Sequence, residues 1–224
     1  MGLGWIGAAF SAVASVASSF VASVSGMLAT HLPRIATVLG NAENWGVLGN
    51  IMTAIARIFD VFRPQETVEE MGDRAMQGAE EGIRPENFDS WNDYVARIRD
   101  LELKPELSER YTVEEKTSAG LAVAVRAMET KLDLPNGALA GLPLLAALNP
   151  AYFGPERLAA LLRTTHDIAS VVDYVDGKLG SADRRDVEGT LLRTGQQIEP
   201  AKTSEQLRAE LDAMVGRVQQ PGQA

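Results

Sequence analysis

The 224-residue sequence predicts an all-α protein, with an apolar N-terminal helical hairpin followed by an acidic multi-helix body. Three observations predict it. Apolar side chains recur at steps of three and four residues, which places them on one side of a 3.6-residue helix. Capping residues, Gly and Pro punctuate these stretches at helical lengths. No segment alternates apolar and polar residues between hairpin turns, as half-buried strands do.

The first 33 residues carry no charged side chain. From Trp5 to Thr30 one long helix is expected, with its bulky groups at Ile6, Phe10, Val13, Val16, Phe20, Val24 and Met27. Small residues fill the ridges between them: Ser11, Ser15, Ser19 and Ser23 form one, and Ala14, Ser18, Ala22 and Gly26 the next. Ridges of this kind let helix backbones approach closely. Pro33 predicts an end or a kink. The Gly40-Asn41 and Gly49-Asn50 pairs suggest a break between two shorter helices. Beyond them Ile51, Ile55, Ile58, Phe59 and Phe62 share a stripe that Pro64 closes. Residues 1–63 therefore read as an apolar assembly or membrane-contact segment, and residues 64–220 as a soluble helical domain.

The body starts with a helix over Glu66–Glu81, whose inward face holds Val68, Met71, Ala75, Met76 and Ala79; Gly82 and Pro85 close it. Asn87 or Asp89 caps the next helix, where Phe88, Trp91, Tyr94, Val95, Ile98 and Leu101 form the apolar stripe. Thr112 with Glu115 is a capping box, and Pro135-Asn136-Gly137 a turn. Pro155 opens a helix expected to run on through Leu158, Leu161, Leu162, Ile168, Val171, Val172 and Val175. Ser181 caps another, stopped by Gly195. Thr203 with Gln206 opens a last one, and the terminal QQPGQA is expected to be loose. The count is seven to nine helices.

Composition narrows the function. The net charge of −9 argues against a nucleic-acid surface, because phosphate contacts need clustered Lys and Arg. Between Arg63 and Ser118 acids outnumber bases by roughly two to one, while the first 60 residues are close to neutral. The absence of Cys excludes disulfides, thiolate catalysis and Cys-ligated metals. The apolar front lacks the basic start of a secretory signal. It is long enough to span a bilayer, yet its Ala and Ser contribute little to insertion.

No catalytic constellation emerges. His31 and His166 are far apart, and His166 beside Asp167 does not face it on a helix. No G-x-S-x-G elbow or glycine-rich phosphate loop is present. Asp173, Asp176, Gly177 and Asp183 resemble pieces of a calcium loop, but Val175 occupies a ligand position and the bidentate Glu is missing. The pairs Glu69-Glu70, Glu80-Glu81 and Glu114-Glu115 read as solvated helix faces. No enzyme activity, cofactor, metal or small-molecule ligand is expected. Trp91 fits its own helix stripe. Trp5 and Trp45 flank the apolar hairpin, as interfacial anchors or as subunit contacts.

The Gly/Ala/Ser/Val-rich front, joined to the acidic helical segment ETVEEMGDRAMQGAEEGIRPENFDSWNDYVARIRDLELKPELSERYTVEEKTSAGLAVAVRAMETKL, resembles internal or tail-associated proteins of tailed phages and phage-derived injection machines, the tape-measure-like and ejected proteins among them. The resemblance implies a non-enzymatic structural component that takes part in DNA ejection. Its partners would be copies of itself and other particle proteins. It also implies cytoplasmic synthesis, residence in a virion or extracellular particle, and transient insertion into a host membrane. Residues for assembly or membrane contact are Trp5, Ile6, Phe10, Val13, Ser15, Ser19, Phe20, Val24, Trp45, Ile55 and Phe59. The alternative is a pore-forming or membrane-anchored helical toxin, with the hairpin from Gly4 to Phe62 in lipid. Under the assembly reading, removal of residues 1–33 is expected to leave a soluble, helical, monomeric remainder.

Overall fold

A computed structural model describes residues 16–219. Among the described residues the chain is all-helical, with twelve α-helices and a single 3-10 turn at Pro85–Asn87. The helices are α1 (Val16–Val24), α2 (Gly26–Leu39), α3 (Ala42–Ile58), α4 (Val68–Glu80), α5 (Trp91–Arg99) and α6 (Pro105–Ser108). They continue with α7 (Val113–Lys131), α8 (Leu142–Leu148), α9 (Pro155–Thr164), α10 (Ile168–Val175), α11 (Ser181–Ile198) and α12 (Ser204–Gln219).

Helix α7 is the axis. Its most extensive partner is α4, and α1, α3 and α5 also pack on it. The α4–α7 crossing is set by two glycines. A Cβ placed on Gly72 would lie 1.8 Å from the Lys116 carbonyl oxygen, and one on Gly120 would lie 1.8 Å from that of Val68. Backbone touches backbone here, so no side chain larger than hydrogen fits. Around the crossing, Met71, Ala75, Met76, Ala119, Val123 and Ala124 are fully buried. Alanine-sized neighbours keep the two helices close along the whole contact.

A second layer is built from α8 to α12. Helix α8 packs on α2 and α3, α9 on α3, and α11 joins α9, α10 and α12. One apolar cluster runs through the described residues from Ala17 to Val215, with members on both sides of position 63.

Several local expectations meet their residues. Gly40 ends α2 at φ 69°, and the Asn41 side chain accepts from the Asn44 N–H to start α3. The capping box opens α7: Thr112 Oγ1 accepts from the Glu115 N–H at 3.2 Å, and Glu115 Oε2 accepts from the Thr112 N–H at 2.9 Å. Thr203 and Gln206 exchange the same pair of bonds.

Others are corrected. The long first helix breaks at Ser25, whose extended backbone and side-chain bond from the Leu28 N–H restart the helix as α2. Pro33 then lies inside α2, exposed. Gly49 is buried within α3 and breaks nothing. Ser90, rather than Asn87 or Asp89, caps α5, because its hydroxyl accepts from the Asp93 N–H at 3.2 Å. The helix expected from Pro155 through Val175 stops at Thr164, and Asp167 caps a separate α10 through the Ser170 N–H. Gly180 is the cap of α11, and that helix continues past Gly195 to Ile198. These breaks raise the count above nine. Of the terminal QQPGQA, Gln219 is tied down by a bond from its Nε2 to the Val175 carbonyl at 3.1 Å, and the other five residues lie outside the described ones.

The crossing supplies a sharp prediction. Gly72→Ala and Gly120→Ala each force α4 and α7 apart and cost about 3 kcal/mol or more, as overpacking against backbone does. Gly46→Ala in α3 meets nothing within 4 Å. That change adds about 0.5–1 kcal/mol of stability through helix propensity. Urea unfolding followed by circular dichroism measures all three; equal midpoints for the three variants would contradict the crossing.

Candidate functional site

The first 42 residues contain one permanently charged side chain, Arg34, and every acidic residue lies at Glu43 or later. The solvent side of α1 and α2 is accordingly uncharged over most of its length. Ser19, Ala22, Ser23, Met27, Thr30, Thr37 and Val38 are exposed there, followed by Val47 on α3. Met27 is 54% exposed, Val38 40% and Val47 43%, the large apolar side chains that escape the core at this end. Bulky groups of the same helices turn inward: Phe20, Val21, Val24, Leu28 and Ile35 are buried. The face that remains outside is small, neutral and partly apolar.

The contact residues expected from sequence divide accordingly. Trp5, Ile6, Phe10, Val13 and Ser15 lie outside the described residues. Phe20, Val24, Trp45 and Ile55 are buried in the core of the chain itself, and Phe59 is half-buried against it. Ser19 is exposed and helps line a groove of about 360 Å³ between α1 and the segment after α4, with Ser23, Arg84 and Glu86. Residues 1–33 also supply part of this core. Their removal would take Phe20, Val21, Val24 and Leu28 out of it, and two of these, Val21 and Leu28, are fully buried.

Four polar clusters fasten the described helices to one another. Arg34 on α2 donates two bonds to Asp176 at the end of α10, at 2.7 and 2.5 Å. Lys178 Nζ reaches the same carboxylate at 2.7 Å. Burial works to raise the pKa of Asp176, but bonds from Arg34 and Lys178 overcome it and hold the carboxyl below its usual range. Of the residues that looked like fragments of a calcium loop, Asp176 and Asp173 thus pair with cationic side chains. No cluster of three or more metal-ligating side chains occurs among the described residues.

The second cluster centres on Glu66, which is 5% exposed. Its carboxylate accepts from Arg99 Nε at 2.7 Å, Arg99 Nη2 at 2.9 Å and the Arg63 N–H at 2.8 Å. This hub walls a cleft of about 420 Å³ that Lys131, Asn92 and Thr130 also line. Its cations have local work. Arg99 also donates to the Val61 carbonyl, and Lys131 sits in the last turn of α7, where a positive charge complements the helix dipole.

The third cluster is Glu129, fully buried on α7. Its Oε1 accepts from the N–H groups of Gly137 and Leu139, both at 3.0 Å, and so fixes the turn after α7. Oε2 lies 3.6 Å from Arg126 but has no hydrogen-bond partner. Burial pushes the pKa of Glu129 up, against the pull of those backbone donors and of Arg126. Asn136 in the same turn donates to the Val24 carbonyl at 2.9 Å, at the break between α1 and α2.

The fourth fastens α4. Asp73 accepts from Gln77 at 2.8 Å, and Gln77 bonds Ser108 and the Lys104 N–H. The acidic pairs fall on this and neighbouring surfaces: Glu70 pairs with Arg74, Glu80 accepts from the Tyr111 hydroxyl, and Glu115 serves its capping box. His166 is exposed in the bend between α9 and α10 rather than on a helix, and His31 is half-buried on α2.

Sequence reasoning missed Arg34, Asp176, Glu66 and Glu129 as structural fasteners. Arg34 had a readable signal, as a lone cation in an uncharged stretch that needs a partner. Glu129 had a weaker one: it follows Met128 within an apolar helix.

Glu129 gives the next prediction. Its folded pKa is raised, so the native state binds more protons, and its contribution to stability is present in acid and lost as pH rises through that folded value. Glu129→Gln keeps an acceptor for Gly137 and Leu139 without a buried charge. Its stability relative to the parent therefore increases from pH 4 to pH 7. Glu129→Ala leaves both donors unpaired and costs about 1–3 kcal/mol per orphaned group. Thermal unfolding across that pH range checks the order; a Gln variant that loses ground as pH rises contradicts it.

Compared with known proteins, the chain matches no family model, no curated protein and no solved structure.

Proposed function

We propose that the chain is a non-enzymatic structural component of a phage virion or phage-like injection apparatus, which assembles through its uncharged N-terminal face. The observation that carries this reading is the segregation of charge. An acidic protein keeps one end free of acids and presents there small side chains together with Met27, Val38 and Val47. Copies of the chain, or other particle proteins, can approach that face without like-charge repulsion. Each Å² of apolar surface covered contributes on the order of 25 cal/mol. The phage setting rests on the resemblance of the small-residue front and acidic helical segment to tail-associated and ejected proteins.

The toxin alternative asks more of the structure. Phe20, Val24, Trp45 and Ile55 would have to leave the core to meet lipid. Among the described residues, no helix is long and apolar enough to cross a membrane.

The double variant Val38→Glu/Val47→Glu tests the proposal without opening the core, since both positions are exposed. Sedimentation velocity should show concentration-dependent association of the parent chain and a monomeric variant with unchanged helical circular dichroism. A parent that stays monomeric, or a variant that assembles as before, removes the basis for the reading. Release of dye from liposomes by the chain alone would favour the membrane alternative.

A further inference from the structure

The junction between α2 and α10 holds more charge than a simple clamp needs. Arg34 and Asp176 are 142 positions apart, and their paired bonds join the N-terminal helices to the second layer. The Asp176 side chain is 7% exposed and also holds Lys178, which lies 4.0 Å from Asp173. One nearly buried carboxylate therefore serves two cations. His31 sits one turn before Arg34 on α2, a spacing that puts both on one side of the helix. It is half-buried in this environment.

We propose that His31, Arg34, Asp176 and Lys178 form an acid-sensitive latch, in which protonation of His31 adds a third cation to the cluster and loosens α1 and α2 from the helical body. The charged groups whose fields act on His31 are Arg34 from its own helix, Asp176 from the end of α10 and Lys178 from the turn beyond it. Asp173 stands behind Lys178. Burial, then Arg34, holds the imidazole below its ordinary pKa; Lys178 acts the same way, and Asp176 opposes them. The sign follows. An undocked histidine titrates near 6.5 and the docked one lower, so docking is fully stabilised at neutral pH and weakens as pH falls through that interval. Glu129, which holds the Gly137 turn beside Met27, responds in the opposite sense. Only a change at His31 therefore isolates the latch. The inference concerns control of the N-terminal face and stands whether that face meets protein or lipid.

The test uses the full chain. Hydrogen exchange, corrected for intrinsic rates, reports protection of α1–α2 amides against α7 amides at pH 7.5 and 5.5. The parent should lose protection in α1–α2, by about three- to tenfold on the scale of a perturbed histidine, while α7 holds. His31→Gln should remove that pH dependence, and Arg34→Gln should lower α1–α2 protection at both pH values. Titration of the His31 ring by NMR gives an independent reading: its pKa should lie below 6.5 and rise toward that value in Arg34→Gln. A pH-independent parent, a His31→Gln variant with the same loss, or a His31 pKa at or above 6.5 overturns the latch.

Discussion

The approach of α4 to α7 at Gly72 and Gly120 is the constraint on which the remaining packing rests. Each glycine presents bare backbone to a carbonyl on the other helix, four residues before that helix's own glycine: Lys116 for Gly72 and Val68 for Gly120. That reciprocity fixes the register of the pair as well as its separation. Helix α7 can then bury almost its whole middle, from Thr117 to Val125, and still offer surface to α1, α3 and α5. The N-terminus of α4 is also locked to α3, because Thr53 accepts from the Val68 N–H at 2.8 Å. Widening the crossing would therefore disturb three helix contacts at once.

Around this dry centre, buried charges act as fasteners between segments with little regular structure. Glu66 with Arg99 shapes the connection from α3 to α4, Glu129 shapes the turn after α7, and Asp176 with Arg34 joins the first and second layers. Removing one partner of such a pair leaves an uncompensated charge, so these sites are costlier to alter than surface pairs. Of these, Glu129 also holds the Gly137 turn that lies against Met27 on the uncharged face.

The class of fold was legible because stripes such as Tyr94, Val95 and Ile98 leave little room for another reading. Capping boxes were equally readable, since Thr112 and Glu115 act within four residues of one another. Breaks were less so. Ser25 and Asp167 interrupt helices through a local side-chain bond that competes with helix continuation, and their sequence context looks helical on either side. Pro33 misled for the converse reason: tertiary packing of Leu28, Ile35 and Leu39 holds α2 together across it. At the candidate site, the neutrality of the front was written in the sequence, whereas which residues face outward was not. Phe20 and Trp45 could serve a partner or the chain's own core with the same spacing, and only the long-range packing on α7 and its neighbours decides.

The distance between α1 and α7 along the chain has a consequence for synthesis. Helix α1 finds its packing partner α7 about a hundred positions later in the chain. At ribosomal speeds of 5–20 residues per second, the apolar front waits roughly 5–20 s after emerging before its binding groove exists. During that interval the nascent chain shows water an almost uncharged segment rich in Ala, Ser, Gly and Val, whose place against α7 has not yet formed. Arg34 waits longer still for Asp176, so the first helices are the last to be secured.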